Sequence, residues 1–329
     1  MVPACAPARA WSLSGRFEKA AADYRQAERL GSREQVLDFQ THCVIDCTGA
    51  ERWAEALWYL DRLIAARPDN ESLHEDRAAV YGKLGRVADR EAELARVFEL
   101  GADEGLVIPR AEELGRAGRW AEAAALLARC GRTGPLSREL ARAWGIAALK
   151  AGDRAAYREV CAADMARQGP DPTVVLDALS AASLLALGAE GLDDYRVATG
   201  WFKKQPSAAL APGPINWHRF PNANAIGGLL LRAGWIEEAI VRLNEGIAAA
   251  GGDKNKESPT DWAYLALAHA KMGSAAEARR WLERLRTWRT PSRASSWDLQ
   301  ELALLRTEAE SLLFDAEFPR DPFHSRGPR

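Results

Sequence analysis

The sequence predicts an all-α chain assembled from stacked helix pairs, and three observations lead there. Apolar residues recur at helical spacing along the chain, without a convincing run of the two-residue alternation of a half-buried strand. Glycine-centred breaks separate the helical segments at Gly15, Gly85, Gly118, Gly152, Gly234 and Gly273. The breaks are also regular. Gly85 to Gly118 is a step of 33 residues, Gly118 to Gly152 a step of 34, and Gly15 to Gly85 a step of 70. The last is two units, with Arg52 and Trp53 marking the one between.

The clearest unit opens at Gly118, Arg119 and Trp120, a tight turn followed by a helix with Ala121 and Ala123 close behind. Variants pair Gly15 with Phe17 and Ala20, Trp53 with Ala54 and Ala56, and Gly85 with Val87 and Ala88. Later ones pair Gly152 with Ala155 and Tyr157, Gly234 with Ile236 and Ala239, and Gly273 with Ala275 and Ala278. Glycine at the turn tolerates the left-handed backbone that ends the first helix of a pair. Alanine where the two helices cross lets their backbones approach, and Trp, Tyr or Leu fills the neighbouring holes. One pair cannot bury its apolar face alone, so successive pairs must stack.

Each unit resembles a tetratricopeptide repeat. The last copy carries Trp262, Leu265, Ala266, Gly273, Ala278 and Leu282, with Leu285 where a small residue is usual. The third carries Ala78, Tyr81, Gly85, Leu94, Val97 and Leu100, with Arg90 in place of the expected alanine. The second keeps Ala56, Leu60, Leu63 and a terminating Pro68. The resemblance implies a right-handed α-solenoid of about seven to eight helix pairs. Two stretches, residues 73–78 and 276–282, are similar to tetratricopeptide tails of large bacterial proteins that also carry a Ser/Thr kinase or WD40 module. That likeness implies a signalling scaffold and lends no catalytic residue, because the kinase motifs are missing.

Taken in order, residues 1–170 form an N-terminal block whose first repeat is incomplete, since only Trp11 and a few residues precede Gly15. The incomplete repeat leaves Phe17, Ala20 and Tyr24 partly uncovered, a face for self-association. Residues 171–221 read as a degenerate repeat, with a first helix over 173–187 and its partner over 191–203. An irregular hinge loop follows over 205–221, with Pro206, Pro212, Pro214 and Pro221. Residues 222–314 form a C-terminal block. It ends in a helix over 296–314 with Leu299, Leu302, Leu305, Ala309, Leu312 and Leu313 on one face, the cap that a solenoid needs at its open end. Residues 315–329 read as a disordered tail.

Composition narrows the function. A net charge of −2 gives no basic footprint for nucleic acid or an anionic membrane. No apolar run approaches the roughly 20 residues that span a bilayer, and residues 1–10 lack the apolar segment of a signal peptide. Five cysteines, an odd number in a long chain, suit reduced thiols in a cytoplasm better than a disulfide framework.

His42, Cys43 and Cys47 form the one cluster of metal-ligand type, but no second pair at suitable spacing closes a zinc site. The two cysteines read as packing residues, as do Cys130 and Cys161. Gly227–Gly228 and Gly251–Gly252 lack the strand and the Lys-Ser/Thr of a phosphate loop. The Asp193–Asp194 pair complements a helix N-terminus. No nucleophile elbow, zinc-protease helix or kinase catalytic loop occurs. The expectation is a protein that is not an enzyme, with no cofactor and no metal.

Two residues before the turn glycines stands a basic column: Lys83, Arg116, Lys150, Arg232 and Lys271. Along a solenoid this column lies near the concave edge, where it would form a ladder for an acidic peptide. The plainer reading is that cations there complement the helix dipole, each by about 0.3–1 kcal/mol. Arg142 and Asn224 are the polar groups expected to point inward, and the lysine–asparagine clamp that grips C-terminal carboxylates is not matched. The expected function is a non-catalytic scaffold binding a peptide or protein segment in the concave groove. The alternative is a small-molecule or glycan site built on the 205–221 loop around Trp217 and His218, whose aromatics more plainly pin the loop.

Overall fold

The turn glycines fix the architecture locally. In the computed structural model Gly15, Gly85, Gly118, Gly152, Gly234 and Gly273 all take positive φ, from 70° to 85°. Each closes the same double hydrogen bond. At Gly118, its N–H donates to the Gly115 carbonyl at 3.0 Å and the Arg119 N–H to the Leu114 carbonyl at 2.9 Å. This is the Schellman arrangement, which satisfies carbonyls left over at the end of the first helix and aims the chain into the second.

The unit between Gly15 and Gly85 closes the same way without a glycine. Glu51 sits at φ 56°, with Glu51 N–H on Thr48 O at 3.2 Å and Arg52 N–H on Cys47 O at 2.8 Å. A side chain in that conformation costs about 1–2 kcal/mol, part of which glycine would return as unfolded-state entropy. Glu51→Gly is therefore expected to raise stability by about 0.5–1 kcal/mol in urea titration. A loss of stability would show that the Glu51 carboxylate has a role the backbone does not reveal.

The structure describes residues 5–30, 32–101, 103–172, 174–203, 221–249, 258–288 and 295–317, and among them every regular element is an α-helix. The chain divides into two compact units, residues 1–103 and 104–329, a boundary inside the block expected to run to residue 170. The expected hinge falls on residues 205–220, outside the described residues, and Pro221 already begins a helix. Of the expected tail, residues 315–317 belong to the last helix and the remainder lies outside the described residues.

The first unit pairs α1 (Ala6–Leu13) with α2 (Phe17–Leu30), α3 (Arg33–Gly49) with α4 (Trp53–Ala66), and α5 (Glu71–Lys83) with α6 (Val87–Leu100). Ala20 and Tyr24, expected to be partly uncovered, are fully buried, and Phe17 stacks on Trp58 with ring centroids 5.4 Å apart. The short α1 and the aromatic face of α4 cover what a lone second helix would expose. Ser12 and Tyr59 hydroxyls lie 2.5 Å apart in this core, with Tyr24 Oη 3.2 Å from Tyr59 Oη. Cys5, Cys43 and Cys47 are buried beside them, and burial pushes the Cys47 thiol up to about 11. His42 points elsewhere, its Nδ1 2.8 Å from Asp38 O. At the α5–α6 crossing, His74 Nδ1 and Arg77 Nη2 meet the two oxygens of Glu93, at 2.8 and 2.7 Å.

The second unit pairs α7 (Glu104–Arg116) with α8 (Trp120–Thr133) and α9 (Arg138–Ala151) with α10 (Arg154–Gln168). The degenerate repeat follows as α11 (Val175–Ala186) and a short α12 (Arg196–Lys203). The partner helix expected from residue 191 starts late because Glu190 takes φ 67° and the Asp194 carboxylate accepts the Arg196 N–H at 2.9 Å. The main partner of α11 is α13 (Pro221–Arg232), which also packs on α14 (Ile236–Ala249). Then α15 (Pro259–Lys271) pairs with α16 (Ala275–Arg286), and α17 (Ser296–Glu317) lies against α15.

Candidate functional site

The helix expected only to cover the last pair does so and also reaches far back in its unit. Besides α15 and α16, α17 packs on α9, about 150 residues earlier in the chain. Its buried side chains are Trp297, Glu301, Leu302, Leu305, Ala309 and Leu313. The stripe has the three-to-four-residue period of a helix laid into a groove. Leu299 and Leu312, expected on that face, are half-buried at its margins.

Two arginines hold the helix. Arg142 on α9 donates through Nη2 to Asp298 Oδ1 at 2.7 Å and to Glu301 Oε2 at 2.6 Å, with Nε 3.2 Å from the same Glu301 oxygen. Arg232 at the end of α13 forms a two-pronged pair with Glu308, Nη1 to Oε1 at 2.6 Å and Nη2 to Oε2 at 2.8 Å. Its remaining donors reach Ala186 O at 2.9 Å and Leu187 O at 3.1 Å, carbonyls at the end of α11. The Arg232 side chain is 1% exposed. Burial opposes its charge, but Glu308 outweighs burial and holds its pKa above the ordinary arginine value.

Between the forks lies Tyr264 of α15, fully buried, whose hydroxyl pKa is pushed well up by burial and by Glu301. At the start of α17, Trp297 meets Trp120 of α8 edge to face, centroids 6.4 Å apart, and Lys150 Nζ sits 5.3 Å over the Trp120 ring.

The basic column therefore splits. Arg232 is buried in an ion pair and Lys150 covers an aromatic ring. Lys83, Arg116 and Lys271 are exposed, with Arg116 3.0 Å from Glu112 one turn earlier. Asn224 donates to Ser258 Oγ at 3.3 Å, joining α13 to the start of α15. Trp217 and His218 lie outside the described residues. Missed from sequence were the acidic partners Asp298, Glu301 and Glu308 and the anchor Trp297. The available signal was Glu301 and Glu308 seven residues apart, hence on one side of the helix next to the leucine stripe.

Burial pushes the Asp298 carboxyl up, but Arg142 and Ser295 pull it further, leaving it below the usual carboxylate range. A depressed carboxylate contributes stability above its unfolded pKa of about 3.9 and loses it as pH falls through the folded value. The gap in melting temperature between wild type and Asp298→Asn is expected to stay constant from pH 5 to 8 and to narrow as pH falls below about 3.9. A gap that does not narrow in acid would mean the ion pair is not its source.

Among the described residues no helix is long and apolar enough to cross a membrane. They also hold no cluster of three or more His, Cys, Asp or Glu placed to bind a metal.

No protein-family model matches the chain, and no curated protein matches it. Solved structures similar to it include a tetratricopeptide repeat protein from Parabacteroides merdae, 12% identical over 83% of this chain and 99% of that one, with a TM-score of 0.39. Another is PilW, a type IV pilus biogenesis factor, 14% identical over 82% of this chain and 99% of that one, at 0.29. Superpositions this loose carry no weight of their own, and the fold rests on the helix pairs and their turns. With a repeat of 33–34 residues, Schellman turns at six glycines and alanines at the crossings, the chain is built of helix pairs of the tetratricopeptide type.

Proposed function

We propose that the protein is a non-catalytic scaffold that binds a helical segment of another protein on the face formed by α9, α13 and α15. The observation behind this reading is α17 itself. A helix remote in sequence is seated on that face by an aromatic anchor, an apolar stripe and two arginine forks, the contact types that dominate protein interfaces. A place in bacterial signalling follows from the kinase and WD40 tail resemblance alone. The cytoplasm is the compartment proposed, because no disulfide joins the five cysteines.

Arg116 and Lys271 hold the same place in α7 and α15 that Arg232 holds in α13, and they are exposed, which makes them the column positions of the second unit open to a partner. A photo-crosslinking residue at Arg116 or Lys271, placed in a chain whose α17 is weakened by Glu301→Gln and Glu308→Gln, is expected to capture one discrete protein in cells. The same residue at Arg129 or Glu283, exposed on the second helices α8 and α16, is expected to capture none. Equal capture from both sets, or capture from neither, would sink the assignment of this face.

A further inference from the structure

We infer that α17 is a displaceable internal ligand, and that the partner replacing it is an acidic amphipathic helix of the same design. The inference rests on the binding face proposed above and adds the chemistry of its occupant.

Three observations point this way. First, α17 is not needed to complete any helix pair. Its main support, α15, is already paired with α16, and α13 is covered by α11 and α14. Second, its contacts with α9 and α13 are charged. Asp298, Glu301 and Glu308 lie on Arg142 and Arg232, so the face it covers is cationic and selects acids. Third, removal of α17 would uncover Trp120, Tyr264 and both arginines together, a surface that needs another occupant.

The occupant's pattern is legible from α17. An aromatic residue is followed at once by an acid, with further acids three and ten positions after the first, and with leucines at the positions of Leu302, Leu305 and Leu313. The two forks demand carboxylates, since a guanidinium and a carboxylate match prong for prong. A tethered helix acts at an effective concentration on the order of millimolar. A free helix at micromolar concentration is then outcompeted roughly a thousandfold unless the tethered copy is weakened.

The test uses the full chain and a fluorescent peptide spanning residues 295–317. Glu301→Gln with Glu308→Gln weakens the tethered helix and keeps both groove arginines. That double variant, monomeric by light scattering, is expected to bind the peptide at least tenfold more tightly than wild type does. The same peptide carrying glutamine at both positions should gain nothing. Equal affinity for wild type and double variant overturns the proposal and makes α17 a fixed part of the fold. A dimer exchanging α17 between copies also overturns it, in favour of a second copy as occupant. Should the double variant not fold, hydrogen exchange on wild type decides. Amides of α17 exchanging at least tenfold faster than those of α15 support displacement, and equal protection overturns it. Failure here with successful crosslinking from Arg116 leaves the scaffold reading standing. Exchange of the peptide without any cellular capture leaves α17 labile and removes the scaffold reading.

Discussion

Arg232→Met is expected to cost about 3–5 kcal/mol of stability, the usual loss when one partner of a buried ion pair is removed. Methionine keeps much of the volume, so the loss is electrostatic. Glu308 keeps a charge with no partner, and the Ala186 and Leu187 carbonyls lose their side-chain donor. In a unit of this size the shift in melting temperature is on the order of 10 °C. Arg232→Lys should recover only part of this, because an ammonium cannot serve a carboxylate and two carbonyls in one plane. A double-mutant cycle with Glu308→Gln separates the two roles. The coupling energy reports the fork to α17, and what remains reports the cap on α11. Urea titration followed by tryptophan fluorescence measures all four corners. A loss below about 1 kcal/mol for Arg232→Met would put the pair in the class of exposed salt bridges and contradict its burial.

How much of this was legible in the sequence depends on the range of the interaction. The turn glycines were legible because a left-handed backbone is a local demand that glycine meets at low cost, and all six take it. Glu51 meets the same demand at the matching place and was not legible, since nothing in a glutamate side chain announces its φ. Arg142 and Arg232 were singled out by their positions in the repeat, and both lie under α17. What they bind could not be read, because the acids lie 76 to 159 residues away and an exposed helix face carries acids for solubility as readily as for pairing. The covering of Phe17 and Tyr24 failed for a related reason. An eight-residue α1 has too few turns to show helical periodicity, yet it packs against α2.

The glycines inside α13 show the same limit and lead to the other large effect. In the sequence, Gly227–Gly228 is a glycine pair that lacks what would make it a phosphate loop; in the structure it is where helices nearly touch. A Cβ on Gly228 would lie 2.7 Å from both the Ala186 Cβ and the Tyr264 Cζ, and one on Gly227 would lie 2.6 Å from the Leu243 Cγ. Gly228 is thus the point at which α11, α13 and α15 close on each other. A residue with a side chain would gain up to about 1 kcal/mol of helix propensity, but overpacking a tight core costs about 1–3 kcal/mol. Valine adds a branched side chain with little rotamer freedom in a helix, so Gly228→Val is expected to lose about 2–3 kcal/mol net. The control is Gly200 in α12, where an added Cβ meets nothing within 4 Å. Gly200→Ala should therefore stabilise, by about 0.5–1 kcal/mol. Gly228→Val has a second consequence, because Tyr264 is the surface between the Arg142 and Arg232 forks. Pushing its ring aside should loosen α17 and raise the exchange of α17 amides beyond that of α10, which is not packed against α17. If the two glycine variants shift stability by the same amount and sign, the closeness of these three helices is not what holds α13 in place.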